Sequence, residues 1–219
     1  VLADVDCGYP LLISEMTLLT ALRTAATSAF AASVLARKES RVMALVGAGA
    51  QSEFQALAFQ ALLGIEEIRV YDPDVRAVDK FMANAAGFGM TLVRCATVAD
   101  AVAGADVITV CTAVKGKVAV IDAAMLRPGT HINAIGGDCP GKTELHRNIL
   151  ERGRYFTEFT PQTRIEGEIQ QAAPDYPVTE LWRCWRASRM AGQARRISPC
   201  STRWASPSRI FRRCGWCMT

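Results

Sequence analysis

Residues 41–52, RVMALVGAGAQS, constrain the fold of this 219-residue chain more than any other segment. The apolar run Val42–Val46 is typical of a buried parallel strand, and it leads directly into a turn that contains Gly47 and Gly49. Such a turn before a helix presents backbone amides, and the helix dipole favours negative charge there. The segment therefore predicts a site for the pyrophosphate of a dinucleotide.

The residues that follow complete a βαβ unit. Residues 53–63 are predicted to form a helix and residues 68–71 a second strand, after which Asp72 stands 25 residues beyond Gly47. In this fold, an acid at that place accepts hydrogen bonds from the adenosine ribose and repels a 2'-phosphate, so NAD is expected rather than NADP. Ser52 replaces the third glycine of the usual fingerprint, which weakens the match, although a small residue still permits close packing.

Downstream of Asp72, strands and helices continue to alternate. Alternation with short connections predicts an α/β fold of the Rossmann type, a doubly wound parallel sheet whose ligands bind at the carboxyl ends of the strands. The predicted elements are helices over 75–86, 98–103 and around 144–152, and strands over 91–94, 107–111, 130–135 and 154–159.

Two predicted strand ends carry polar residues. Thr112 follows one strand, and Gly136, Gly137 and Asp138 follow another, directly after Ile135. The glycines are expected to let the backbone pass close to a nicotinamide, with Asp138 directed into the cleft. A partly desolvated carboxylate can act as acid and base near neutral pH. The alternative interpretation of Thr112 is a capping or turn residue. The alternative interpretation of Asp138 is a loop aspartate that supports a turn.

The N-terminal part predicts one long helix over 15–36, with Ser14 as its N-cap. The helix is rich in alanine and apolar enough to be largely buried. Arg23 is the only charged residue between Glu15 and Arg37. A buried guanidinium needs a partner, so Arg23 is expected to bind either a ligand anion or a carboxylate of the protein.

The C-terminal part differs in composition from the rest. The chain has a net charge of +4, but no acid follows Glu180, while nine arginines do, so residues 1–182 are acidic overall. A basic tail with tryptophans resembles a nucleic-acid arm, and Cys214 and Cys217 resemble a redox or metal pair. We favour a third interpretation, a tail translated out of frame, because the segment has no helical or strand periodicity. No nucleic-acid partner is therefore expected.

The remaining composition bounds the class of protein. Cys7, Cys95, Cys111 and Cys139 lack metal-ligand or disulfide spacing, so we expect reduced thiols, no metal and a cytoplasmic location. No run of about 18 uninterrupted apolar residues occurs, which argues against a membrane span. The opening residues resemble neither a start nor a signal sequence, and we expect the chain to lack an N-terminal part of its protein.

Four strings resemble the ornithine cyclodeaminase and mu-crystallin family: ISEMTLLTALRTAATSA, ALVGAGAQSEFQALAF, VYDPD and INAIGGDCPGKTEL. The resemblance covers residues 1 to about 182. It implies a remnant of a substrate and dimerisation domain over 1–38, an NAD-binding Rossmann domain over 39–182 and an aberrant tail over 183–219. It also implies a homo-oligomer, which is doubtful for this chain.

The resemblance implies an activity, the conversion of ornithine to proline and ammonia with NAD regenerated in each turnover. Asp138 matches the acid/base of the family, and Arg23 matches an arginine at the cofactor and the substrate carboxylate. Lys142 lies near the substrate side of its motif. The residues that match cofactor contacts or belong to the cofactor-binding turns are Gly47, Gly49, Ala50, Gln51, Asp72, Thr112, Ile135, Gly136 and Gly137.

Other functions fit the same sequence pattern. An amino-acid dehydrogenase or a cyclic-imine reductase of the family would share the fold, and a crystallin-like protein would bind the nucleotide without catalysis. Ornithine is not distinguished from lysine by these residues. Because parts of the family's substrate domain are not matched, we expect the chain as written to be a poor catalyst.

Overall fold

The computed structural model describes residues 1–113 and 116–188, and the backbone of 217–218. The 217–218 strand lies in the segment for which an out-of-frame tail is expected, and residues 189–216, which make up most of that segment, lie outside the described residues. The strands are β1 (Leu2–Ala3), β2 (Pro10–Leu12), β3 (Val42–Val46), β4 (Glu67–Tyr71), β5 (Thr91–Arg94), β6 (Val107–Val110), β7 (Lys117–Ile121), β8 (His131–Ala134), β9 (Thr143–Leu145), β10 (Tyr155–Thr157), β11 (Thr179–Glu180) and β12 (Cys217–Met218).

The helices are α1 (Thr17–Leu35), α2 (Ser52–Leu63), α3 (Val75–Ala85), α4 (Val98–Val102) and α5 (Thr160–Thr163), and residues 181–188 are also helical. Short 3₁₀ turns occur at Ala123–Met125, Arg147–Ile149 and Glu168–Gln171. These bounds agree with most of the predicted elements to within one or two residues.

The central sheet has the strand order β11-β10-β12-β8-β6-β3-β4-β5. Strands β8, β6, β3, β4 and β5 are parallel to one another, so their carboxyl ends lie at one edge, whereas β12 is antiparallel to β8. Alternate residues of β3 enter cores on opposite faces: Ala44 and Val46 on one, Met43 and Leu45 on the other. A sheet covered on both faces in this way confirms the predicted Rossmann-type fold.

Helix α1 differs from its prediction at its start. Ser14 is not the N-cap, since its hydroxyl donates to the carbonyl of Glu15. The carboxylate of Glu15 instead accepts hydrogen bonds from the amides of Thr17 and Leu18. A carboxylate at a helix N-terminus also interacts favourably with the helix dipole, which explains why the helix begins at Thr17 rather than at Glu15.

Helix α1 is also less buried than expected. Its buried residues are small: Ala21, Ala25, Ser28, Ala29, Ala31 and Ala32. Ala29 and Ala32 belong to the same core cluster as β3, whereas Leu18, Leu19 and Leu22 are about half exposed. By length and composition alone, α1 would be able to cross a membrane. We interpret it as a helix packed on the sheet, because its alanines lie in the protein core.

The prediction of a helix around residues 144–152 is wrong. Thr143–Leu145 forms β9, which pairs in parallel with β7 in a small separate sheet, and a 3₁₀ turn follows at Arg147–Ile149. All of β9 is buried, including Glu144. The β7–β9 pair places this glutamate beside the carboxyl edge of the main sheet.

Candidate active site

A cleft of about 1030 Å³ opens at the carboxyl ends of β3, β4, β6 and β8. Thr20 and Thr24 of α1 form part of its wall, together with residues that follow β10. Gly47 does not line the cleft, but all the other predicted site residues do: Arg23, Gly49, Ala50, Gln51, Asp72, Thr112, Ile135, Gly136, Gly137, Asp138 and Lys142.

The two glycines of the turn have different surroundings. Gly47 has a φ of +105°, and a Cβ atom there would lie 2.8 Å from the carbonyl oxygen of Cys111. A side chain at Gly47 would therefore be excluded by both conformation and space. A Cβ at Gly49 would meet nothing within 4 Å. Gly49 thus leaves room for a ligand at the start of α2.

Asp72 is attached to this turn. Its Oδ2 atom accepts a hydrogen bond from the amide of Ala48 at 2.8 Å, and its Oδ1 atom accepts one from the amide of Asp74 at 2.8 Å. Each carboxylate oxygen retains further acceptor capacity toward the cleft. An open glycine turn with an acceptor at the adjacent strand end fits the pyrophosphate and adenosine ribose of a dinucleotide.

Asp138 and Lys142 form an ion pair on the opposite side of the cleft. The Lys142 Nζ atom lies 3.2 Å from Oδ1 of Asp138 and also donates to the carbonyl of Thr112 at 3.2 Å. The lysine side chain is 8% exposed, whereas that of Asp138 is 70% exposed. The sequence predicts a partly desolvated Asp138, but among the described residues nothing shields this carboxylate from solvent to that extent. The buried partner is the lysine, and it holds the carboxylate at the cleft.

Arg23 shares the cleft with Glu158, a carboxylate that the sequence analysis did not select. Burial raises the pKa of Glu158 to about 7, and the nearby charge of Arg23 acts in the opposite direction. The Oε2 atom of Glu158 is buried without a hydrogen-bond partner among the described residues. The structure is therefore compatible with both expected partners of Arg23. A carboxylate of the protein, Glu158, is nearby, and the cleft is open to a ligand anion.

Two further carboxylates lie behind the cleft. Glu144 accepts hydrogen bonds from Thr112 and from the amide of Gly136, and Glu168 accepts from the backbone around Glu144. Burial raises the pKa of both carboxyl groups, to about 7 for Glu168. The amides and the Thr112 hydroxyl that surround Glu144 partly offset this effect.

The sequence analysis missed three carboxylates, Glu158, Glu144 and Glu168, and only the first of them could have been predicted from the sequence pattern. Glu158 directly follows β10, so the rule that selected Thr112 and Asp138 as polar residues at strand ends applies to it as well. Glu144 and Glu168 had no usable signal, because their backbone partners lie 23 or more residues away or across a turn whose path the local sequence does not determine.

The sheet order, the glycine turn and the acid at the end of β4 define a dinucleotide-binding protein of the Rossmann class. Within that class, the chain belongs to the ornithine cyclodeaminase/mu-crystallin family, whose model matches residues 1–196. This confirms the resemblance seen in the sequence.

The proteins to which this chain is similar have more than one activity. An ornithine cyclodeaminase of Agrobacterium fabrum (strain C58) is 63% identical over 183 residues, which are 84% of this chain and 52% of that protein. A solved lysine cyclodeaminase, described as recognising L-lysine, L-ornithine and L-2,4-diaminobutyric acid, is 36% identical with a TM-score of 0.77, over 82% of this chain and 52% of that one.

A solved archaeal alanine dehydrogenase dimer with bound NAD is 34% identical with a TM-score of 0.71, over 77% of this chain and 52% of that one. The chain thus spans about half the length of the curated relatives it matches.

Proposed function

We propose that this chain is the NAD-binding part of an ornithine cyclodeaminase, which converts L-ornithine to L-proline and ammonia. The observation that carries the proposal is the meeting of Arg23, Asp138 and the glycine turn on one cleft. The 63% identity to a relative named ornithine cyclodeaminase favours this reaction over others in the family.

The cleft fits NAD at both of its ends. Gly49, Ala50 and Gln51 lie at the start of α2, where backbone amides suit a pyrophosphate, and Asp72 suits the ribose. Thr112 and the loop of Ile135, Gly136 and Gly137 would hold the nicotinamide end. When bound, NAD would supply a hydride acceptor for the substrate α-carbon and, once reduced, a hydride donor for the cyclic imine. The NAD in the alanine dehydrogenase relative supports this assignment.

The side chains of the cleft have complementary tasks. The guanidinium of Arg23 binds the α-carboxylate of the amino acid, because a planar fork of N–H donors matches a carboxylate. A carboxylate oxygen of Asp138 takes a proton from the substrate amine and later returns one to the departing ammonia. The Lys142 ammonium lies 3.2 Å from the Asp138 carboxylate and holds that carboxylate at the cleft.

A second function, oxidative deamination by an amino-acid dehydrogenase, is favoured by the relation to the alanine dehydrogenase. A reductase that acts on a cyclic imine and a nucleotide-binding protein without catalysis use the same fold.

We further propose a cytoplasmic homo-oligomer whose residues 1–38 belong to a substrate and dimerisation domain and whose residues 39–182 form the cofactor domain. Resequencing the coding DNA past Val178 tests whether residues 183–219 are out of frame.

The deciding experiment uses a full-length protein that contains residues 1–182, labelled ornithine and a trace of NAD. Proline and ammonia are expected in equal amounts, far above the amount of NAD and without accumulation of NADH. NADH formed in proportion to consumed substrate, without proline, would assign a dehydrogenase instead. Binding of NAD without turnover of ornithine or lysine would favour a binding role.

A further inference from the structure

Glu144 is a buried carboxylate that joins the ends of two strands of the main sheet. Its Oε1 atom accepts hydrogen bonds from the amide of Thr112 at 2.8 Å and from the hydroxyl of Thr112 at 2.5 Å. Its Oε2 atom accepts one from the amide of Gly136 at 2.9 Å. Thr112 follows β6 and Gly136 follows β8, so one side chain from β9 holds both loops at the floor of the cleft.

The fit between Glu144 and Gly136 leaves no room for another side chain. A Cβ atom at Gly136 would overlap with the carboxylate of Glu144. The absence of a side chain at Gly136 is therefore needed to make room for the carboxylate of Glu144. Gly136 is also two residues before Asp138, so its position determines where the Asp138 loop leaves the sheet.

The hydroxyl of Thr112 is oriented by the same carboxylate. A threonine hydroxyl has one proton to donate, and here that proton is directed to Glu144. The oxygen can then present only lone pairs to the cleft. A group that meets Thr112 from the cleft must therefore donate a hydrogen bond, as a carboxamide N–H or a ribose hydroxyl does.

A second carboxylate fixes the backbone that carries Glu144. Oε1 of Glu168 accepts from the amide of Glu144 at 2.7 Å, and Oε2 accepts from the amide of Leu145 at 3.0 Å. Glu168 is fully buried. The strand that presents Glu144 is thus held from behind, and this support directs the carboxylate at the two loops.

We infer that Glu144 is a positioning residue of the cofactor site, which orients Thr112 as a hydrogen-bond acceptor for the cofactor and fixes Gly136 beneath the Asp138 loop. The role toward the cofactor rests on the proposed NAD site. The hydrogen bonds of Glu144 to Thr112 and Gly136 do not depend on that proposal. Glu144 does not line the cleft and acts through Thr112 and Gly136.

The first test needs no cofactor. Amide hydrogen exchange is measured by NMR on the 219-residue chain, on Glu144→Gln and on the control Glu151→Gln, an exposed carboxylate. Glutamine offers one acceptor oxygen, which cannot serve three donors. The amides of Thr112 and Gly136 are expected to exchange roughly tenfold faster in Glu144→Gln, because each loses a bond to a charged acceptor, while Leu45 in β3 is unchanged. Unchanged exchange at Thr112 and Gly136 would overturn the inference, as would equal acceleration throughout the sheet.

The second test follows NAD binding by calorimetric titration of the same chain. Thr112→Val is expected to weaken binding roughly tenfold, and Thr112→Ser, which keeps the hydroxyl, to retain it. A double variant, Thr112→Val with Glu144→Gln, is expected to lose less than the sum of the two single losses, because Glu144 acts partly through Thr112. Fully additive losses would overturn the inference. If Glu144→Gln fails to fold, the Thr112→Val and Thr112→Ser pair still decides whether the oriented hydroxyl matters.

A failure of the proposed function has a different signature. In that case the unaltered chain does not bind NAD at all, whereas the exchange experiment still reports whether Glu144 holds the two loops.

Discussion

The carboxylate of Asp72 accepts a hydrogen bond from the backbone amide of Ala48 at 2.8 Å, so the end of β4 is tied to the glycine turn. This contact gives Asp72 two tasks. It keeps the turn in place, and in the proposed NAD site its negative charge would face a 2'-phosphate of NADP.

We therefore expect the chain to bind NAD at least about tenfold more tightly than NADP, and Asp72→Asn to reduce that preference. The same substitution should weaken NAD binding itself, because an amide oxygen is a poorer acceptor for the Ala48 N–H. Titration of both nucleotides measures the ratio. Asp74→Asn is the control, since Asp74 caps α3 through the amide of Arg76 and does not line the cleft. Equal affinity of the unaltered chain for the two nucleotides would contradict the assignment.

The two glycines of the turn provide a matched pair. Gly47→Ala should destabilise the fold by roughly 1–3 kcal/mol or more, because the residue has a positive φ and its Cβ would collide with the Cys111 carbonyl. Gly49→Ala should leave stability nearly unchanged and weaken NAD binding, since its methyl group would point into open space at the cleft. Urea unfolding and NAD titration on both variants separate the two effects. A Gly49→Ala variant with normal NAD affinity would place the pyrophosphate elsewhere.

His131 should make the fold sensitive to acid. Burial lowers the pKa of His131 to about 4, and its Nε2 atom lies 3.2 Å from Oδ1 of Asn133. Between pH 6.5 and about 4, the unfolded chain takes up a proton on this residue and the folded chain does not. The stability that His131 contributes is therefore complete above pH 6.5 and falls as pH decreases, by up to about 3 kcal/mol.

Urea unfolding at about pH 7 and pH 5 measures this loss. His131→Asn should show a smaller difference between the two conditions than the unaltered chain, whereas His146→Gln, at an exposed histidine, should not. The same slope in all three proteins would show that other groups cause the acid sensitivity. The pH dependence of stability that Glu168 contributes has the opposite sign. Because its carboxyl pKa is raised to about 7, stability falls as pH rises from 4.5 to 7.

Glu158 should give the binding of carboxylates a pH dependence. Its pKa is raised to about 7 by burial, and it lies beside Arg23. Above that pH, the ionised Glu158 competes with a ligand carboxylate for the guanidinium. The affinity for L-proline in the presence of NAD should thus fall roughly two- to fivefold as pH rises through 7, a small effect because the pair is partly solvated.

Titrations at about pH 6 and pH 8 measure this change. In Glu158→Gln the step should disappear, and in Glu166→Gln, another carboxylate of the cleft, it should remain. A step that persists in Glu158→Gln would assign it to a different group.

Much of the fold was predictable, because its information is local. The apolar runs of β3 and β6, the glycine turn and the acid at the end of β4 lie within short segments. The rule that the carboxyl ends of parallel strands meet at one edge predicted that Asp72, Thr112 and Asp138 line one cleft. The particular chemistry assigned to Asp138 and Lys142 stays a prediction.

The remaining features depend on contacts that are distant in sequence. Glu144 lies in a buried strand only because β9 pairs with β7, and a short polar segment such as Thr143–Leu145 gives no periodicity that distinguishes it from a helix. The burial of Lys142 likewise depends on a distant contact, since its Nζ atom donates to the carbonyl of Thr112, 30 residues away. Composition made α1 look like a core helix, although its bulky residues are the exposed ones.

The division of α1 into an alanine face and a leucine face also separates two kinds of substitution on one helix. On the inner face, even one added methyl group would be felt by the packed sheet, so Ala29 and Ala32 tolerate little change. On the outer face, exchange of Leu18, Leu19 or Leu22 for glutamate or lysine removes exposed apolar surface at almost no cost to folding. The outer face of α1 is therefore the place where substitutions would report on contacts of the proposed substrate and dimerisation domain without disturbing the core beneath the sheet.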